Sequence, residues 1–205
     1  FPYMGVRHGH VSGIPALFLR VGFVGELGYE LHVPAIQGEA LWDALIEAGA
    51  DTKIRPFGVE AQRLLRLEKG HIIIGQDTDG LTTPHEADMA WAISRKKPYF
   101  VGMRSVSIQE SKGLNRKLVG FEITDVSGKL PKECHLVVRN GEITGRVTSV
   151  VKSATLGKII GLAYVAPDQS DPGTVVQVKI DEGEIIEAVV VKLPFYDPDG
   201  VRQEI

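Results

Sequence analysis

At 205 residues, 43% hydrophobic and 24% charged, the chain can bury a sizeable core as one large or two small domains. A net charge of −3 argues against general nucleic-acid or anionic-membrane binding, and no apolar run approaches the ~18 residues of a membrane span. The single cysteine, Cys134, excludes a disulfide framework and a thiolate metal site, and makes a reducing compartment, the cytoplasm, the expected setting.

The opening FPYMGVRHGHVSG has no signal-peptide pattern and no initiator Met, which suggests a fragment or a processed chain. His8 and His10 have no carboxylate or thiol close in sequence and are read as surface residues. From Leu17 the alternation of Leu17, Leu19, Val21 and Phe23 with Phe18, Arg20 and Gly22 has the period of a strand. Gly25-Glu26-Leu27-Gly28 reads as a turn, and a return strand places Tyr29, Leu31 and Val33 on one face with Glu30 and His32 on the other. A carboxylate held there can accept two parallel N–H bonds from a flat heterocycle such as a pterin. It can equally be a solvated acid on an open sheet face. The glycines Gly22, Gly25 and Gly28 do not form a dinucleotide fingerprint, because the spacing is wrong and a strand follows.

Residues 37–48 predict an amphipathic helix with Leu41, Ala44, Leu45 and Ala48 inward and Trp42 at the rim. Pro56-Phe57-Gly58 opens a second helix to about Leu67, whose Arg63, Arg66, Glu68 and Lys69 read mostly as solvated charges. His71-Ile72-Ile73-Ile74-Gly75 reads as a buried strand, and Gln76-Asp77-Thr78-Asp79-Gly80 as a polar turn without calcium-loop spacing. Thr83-Pro84-His85-Glu86 carries a capping box and predicts a helix to about Ile93, with Ala87, Ala90 and Trp91 inward. Residues 103–116 are polar and read as a linker holding at most a short helix. From Lys117 onward the pattern is β: residues 117–124, a hairpin over 135–148 about Asn140-Gly141, then 158–165, 174–180 and 185–193. At least six short strands without a helical pattern predict a small barrel or jelly roll. The tail Pro194–Gly200 reads as extended, with Tyr196 either packed on the barrel or reaching back to the first domain.

The phrases VGELGYELHVP, ALWDALIEAGA, RLLRLEKGHIIIGQDTDGLTTPHEADMAW, GRVTSVVKSATLGKIIGLAYV and PFYDPDGVRQ resemble the aminomethyltransferase family, which includes the glycine cleavage T-protein. The GQDTDG and FYDPDGVRQ phrases look most like the folate-binding C-terminal part of the sarcosine oxidase α subunit and dimethylglycine-oxidising enzymes. The resemblance implies an α+β fold with ferredoxin-like and Greek-key topology, then a C-terminal β-barrel. The expected domains are residues 1–104 (part of a folate-binding domain), a linker over 105–116, and a barrel over 117–205.

It also implies a one-carbon transferase that passes a unit from an amine or iminium donor to tetrahydrofolate. Glu30 matches the family's pterin-gripping carboxylate, and Phe23 a position usually held by Tyr. Gln62 stands where the T-protein has a folate-binding Arg, and His71 where it often has an aromatic residue. Tyr196 is a further expected contributor, whereas Asp77 and Asp79 read as turn-formers or ligands. The family's catalytic Asp is expected in a segment preceding this chain. A flavoprotein subunit or a lipoyl carrier protein are the expected partners, and a non-catalytic folate-binding or docking module is the alternative. The related iron–sulfur assembly factors carry Cys after the Lys-Gly that here precedes His71, so they fit less well.

Overall fold

In a computed structural model, which describes residues 1–125 and 128–204, the chain divides into two compact units. The first is Phe1–Arg66 joined by the chain from Asp199 onward, and the second is Leu67–Pro198.

The first unit holds a three-stranded antiparallel sheet in the order β1 (Val6–Val11), β2 (Ile14–Leu19), β3 (Glu30–His32). The expected return strand is present, but two features differ from the sequence reading. An additional strand, β1, precedes the pair, and ten residues rather than a four-residue turn connect β2 to β3. That connection is held from outside itself. Arg20 donates to the Phe1 carbonyl at 2.6 Å and the Gln203 carbonyl at 2.7 Å. The Leu27 N–H donates to the Arg202 carbonyl, and Arg202 Nε donates to Glu26 Oε1 at 2.5 Å. Gly25 has φ +82°, and a Cβ on Gly28 would lie 2.7 Å from the Val21 carbonyl, so these glycines make a compact loop in place of a tight turn. Helix α1 (Gly38–Ala48) forms as expected, with Leu41 buried and Trp42 exposed.

Helix α2 (Val59–Glu68) also forms, but its charges are not all solvated. Arg66 and Glu68 are buried, and Glu68 and Lys69 are engaged within the second unit. Ser153 donates to Glu68 Oε1 at 2.5 Å, the Tyr196 N–H donates to the Glu68 carbonyl, and Lys69 donates to the Asp197 carbonyl at 2.6 Å. A buried charge persists only when such partners are supplied, and here Ser153 supplies one to the Glu68 carboxylate and Asp197 of the C-terminal tail one to Lys69.

The second unit departs most from expectation between residues 71 and 93. His71–Gly75 is not a strand, and Ile74 is 80% exposed. The capping box at Thr83 does form, since the Thr83 N–H and Glu86 carboxylate meet at 3.0 Å. It starts one turn, not a helix: Asp88 takes φ +58°, and the chain resumes only as a short 3-10 turn, Ala90–Ala92, with Trp91 78% exposed. Helix α3 (Met103–Lys112) occupies the polar stretch that follows.

The remaining strands are β4 (Lys117–Ile123), β5 (Leu136–Arg139), β6 (Glu142–Ser153), β7 (Lys158–Val165), β8 (Val175–Lys179) and β9 (Ile185–Val191). They close an antiparallel barrel in the order β4-β7-β6-β5-β8-β9. Asn140 (φ +53°) and Gly141 (φ +84°) make the expected two-residue hairpin between β5 and β6. Val119, Phe121 and Ile123 point into the barrel, as their alternation predicts, against Val137, Val147, Ile159 and Val178. The opposite faces of β4 and β7 are buried too. There Leu118, Ile160, Leu162 and Tyr164 pack with Leu67, and Leu193 and, from the tail, Phe195 close over them.

Asp77 ties the irregular 71–93 segment to this barrel. Its carboxyl accepts from Thr148 Oγ1 and Ser149 Oγ, both at 2.6 Å, and from the Ile73 N–H at 2.8 Å. The Tyr164 hydroxyl donates to its carbonyl at 2.8 Å. Asp79 instead makes a local turn, accepting from the Leu81 N–H and the Thr82 hydroxyl. Those two donors, with Arg116 beside them, pull the Asp79 carboxyl down to about 2. Both acids shape the loop.

Candidate functional site on the three-stranded sheet

The register places Glu30 beside Leu19, and Leu19 beside Val6; it places His32 beside Leu17, and Leu17 beside His8. Directly opposed residues share a face, so Glu30 and His32 stand on the face that carries Leu17 and Leu19. Leu31 lies on the other face with its partner Phe18. The expected parity of Glu30 and His32 against Leu31 therefore holds, but the face carrying Glu30 is of mixed polarity.

The Glu30 and His32 side chains are 58% and 56% exposed and meet at 3.1 Å, Glu30 Oε2 to His32 Nε2. Glu30 is thus a backbone-anchored acid open to an incoming N–H donor. Phe23 stands in the long loop before β3 and is 39% exposed, and Tyr29, immediately before the strand, is 51% exposed. Tyr29 also meets the Phe1 ring at 5.8 Å. Gln62 is exposed on α2. Phe23, Glu30 and Gln62 all belong to the first unit, whereas His71 and Tyr196, both half-buried, belong to the second.

Sequence reasoning passed over the histidines of β1. His8 and His10 are exposed, as expected of surface residues, but they line a groove together with His32. The signal was present in the Val6-Arg7-His8-Gly9-His10-Val11 alternation, which puts both imidazoles on one face once that stretch is recognised as a strand. Among the described residues, no three His, Cys, Asp or Glu side chains are grouped closely enough to hold a metal ion. No helix among them is long and apolar enough to cross a membrane.

Comparison with known proteins agrees with this architecture. Residues 1–97 match the model of the GCVT N-terminal domain, and residues 116–197 match that of the glycine cleavage T-protein C-terminal barrel domain. An aminomethyltransferase of Halothermothrix orenii is 38% identical across 91% of this chain and 52% of that protein. A sarcosine oxidase subunit alpha of Corynebacterium sp. is 37% identical across 94% of this chain and 21% of that subunit. The crystal structure of the glycine cleavage system aminomethyltransferase T from Bartonella henselae superposes with a TM-score of 0.84 at 26% identity, over 97% of this chain and 54% of that one. The chain therefore spans about half the length of the aminomethyltransferases it matches. With both domain models matched in order and a closed barrel where the second one lies, the chain belongs to the aminomethyltransferase family of the glycine cleavage T-protein.

Proposed function

We propose that this chain takes part in transferring a one-carbon unit from an amine or iminium donor to tetrahydrofolate, with Glu30 gripping the reduced pterin. The observation that carries the reading is the Glu30 carboxylate, half open on a strand whose position is set by backbone pairing to β2. A pterin requires an acceptor for its paired N–H edge and an apolar surface for its ring. The exposed acid of Glu30 and the exposed ring of Phe23 are groups of those two kinds. Tetrahydrofolate, when bound, supplies the nucleophilic nitrogen that accepts the one-carbon unit. The role of Glu30 is orientation, which holds the ring in a reactive pose and sets a negative charge near developing positive charge. Gln62 offers a neutral amide, able to hydrogen-bond to folate but not to pair with its carboxylates.

Calorimetric titration of tetrahydrofolate tests the assignment. Glu30→Gln should weaken binding at least ~tenfold, the loss of one charge-assisted hydrogen bond. An unchanged dissociation constant removes Glu30 from the site.

The similarity to the sarcosine oxidase subunit favours a second reading, a folate-binding or docking module beside a flavoprotein that makes the iminium. Co-purification with a flavin-containing chain supports that reading, and formation of methylene-tetrahydrofolate by this protein alone excludes it. A lipoyl carrier protein is the corresponding partner under the first reading. A cytoplasmic setting belongs to the same proposal, supported by one unpaired, exposed cysteine, Cys134.

A further inference from the structure

We infer that Arg20 is a positioning residue, the hub through which Phe1 and Gln203 fix the loop between β2 and β3. It acts through that loop and touches no ligand itself. The inference rests on the pterin reading proposed above, because the loop carries Phe23 and leads directly into Glu30. Ten residues separate the two strands, too many for strand pairing alone to set their path. All the groups concerned lie in the first unit.

Arg20 opens the loop, and its backbone is already fixed. The Met4 N–H donates to the Arg20 carbonyl at 2.8 Å, and the Arg20 N–H donates to the Gly5 carbonyl at 3.0 Å. From that point the guanidinium reaches two ways, Nη1 to the Phe1 carbonyl at 2.6 Å and Nη2 to the Gln203 carbonyl at 2.7 Å. Each acceptor belongs to a segment that grips the loop further along. The Phe1 ring meets the ring of Tyr29, the residue before Glu30, at 5.8 Å, and the Arg7 guanidinium stands over Phe1 at 4.6 Å. Next to Gln203 is Arg202, whose carbonyl accepts from the Leu27 N–H at 3.0 Å and whose Nε donates to Glu26 at 2.5 Å. Phe23 therefore lies between the anchor at Arg20 and the grip at Glu26 and Leu27, and Glu30 follows the grip at Tyr29.

Magnitudes single out Arg20 among these contacts. Arg202 and Glu26 form a half-exposed pair, which contributes little. Arg20 is half-buried and makes two charge-assisted hydrogen bonds to carbonyls. Its Nε is buried with no hydrogen-bond partner among the described residues, a desolvation cost that an apolar side chain would avoid. The forked guanidinium is what the two carbonyls require, since a lysine ammonium is a point donor that cannot reproduce the fork. Loop placement matters to function because a shift of ~1 Å in a positioned group can cost ~100-fold in reaction.

The test is Arg20→Lys, which keeps the charge and loses the fork. Calorimetric titration of tetrahydrofolate should show binding weakened about tenfold, and amide hydrogen exchange over residues 21–29 should quicken. Combined with Glu30→Gln, the loss should be smaller than the product of the two single losses, because both act on one placement of the ring. A merely structural role predicts quickened exchange with unchanged affinity, or losses that multiply. Either result overturns the inference and leaves the pterin reading to stand on Glu30→Gln alone. Unchanged exchange overturns it as well. A wild-type chain that binds no tetrahydrofolate discards the pterin reading and the role of Arg20 with it. Should Arg20→Lys not fold, Arg202→Gln is measured in the same way. There the expected loss is about threefold, from freeing one exposed pair, and no loss overturns the inference.

Discussion

Strand β7 of the barrel has seven of its eight residues buried, whereas β3 of the small sheet has none. Both are antiparallel, and the difference lies in what each strand must accomplish. The barrel pairs all six of its strands and leaves no edge, so its apolar side chains satisfy one another inside the same unit. The sheet stops at three strands and shows a carboxylate, three imidazoles and aliphatic side chains on a single face. The closed barrel buries its own apolar side chains, whereas the mixed face of the sheet carries the groups proposed to bind. The contrast sets the proposed binding face of the first unit against the fully packed barrel of the second.

Experiments can break or sharpen that contrast. The largest effect is expected from Phe121→Ala, which empties a fully buried position of the barrel core. It should cost about 3–5 kcal/mol in urea unfolding of the barrel; a loss below ~1 kcal/mol would mean the barrel is loosely packed. Asp77→Ala comes next. It removes the carboxylate that accepts from the buried hydroxyls of Thr148 and Ser149 and from the Ile73 N–H, and should cost about 2–3 kcal/mol by the same measurement. In the first unit, Arg20→Ala removes two hydrogen bonds that hold the long loop and should cost about 1–2 kcal/mol, read as a lowered thermal midpoint.

Acid should act more weakly, because Asp79 is exposed. Its carboxyl is depressed in the fold from 3.8 to about 2, so its contribution is complete above the unfolded value and disappears as pH falls through the folded one. Stability of the second unit should decline between about pH 4 and about pH 2, and Asp79→Asn should flatten that decline. The smallest stability effect is expected at the proposed site. Glu30→Gln should change unfolding by no more than ~0.5 kcal/mol while weakening tetrahydrofolate. A large stability loss there would make Glu30 structural and erase the contrast between the units.

The barrel was largely legible in the residues. Alternation in 117–124, the Asn140-Gly141 turn and the short apolar runs that follow each carry a local signal, and the closed sheet only multiplies them. The family phrases were legible too, and the comparisons bear them out. The 71–93 segment was not legible. Three consecutive isoleucines suggested a strand and a capping box suggested a helix, but one buried acid, Asp77, holds the segment irregular through hydrogen bonds to β6. Such a tether joins residues 71 and 72 positions apart in the chain, beyond the reach of any local pattern.

Side-chain periodicity alone established which way Glu30 and His32 point relative to Leu31, because alternation along an extended backbone is a local property. Only the folded chain set His8 and His10 beside His32, buried Glu68 against Ser153, and turned an apparent tight hairpin into a ten-residue loop held by Arg20 and Arg202. These outcomes depend on strand register and on partners distant in sequence, whose pairing is decided when backbone and charged groups leaving water must find partners elsewhere in the fold.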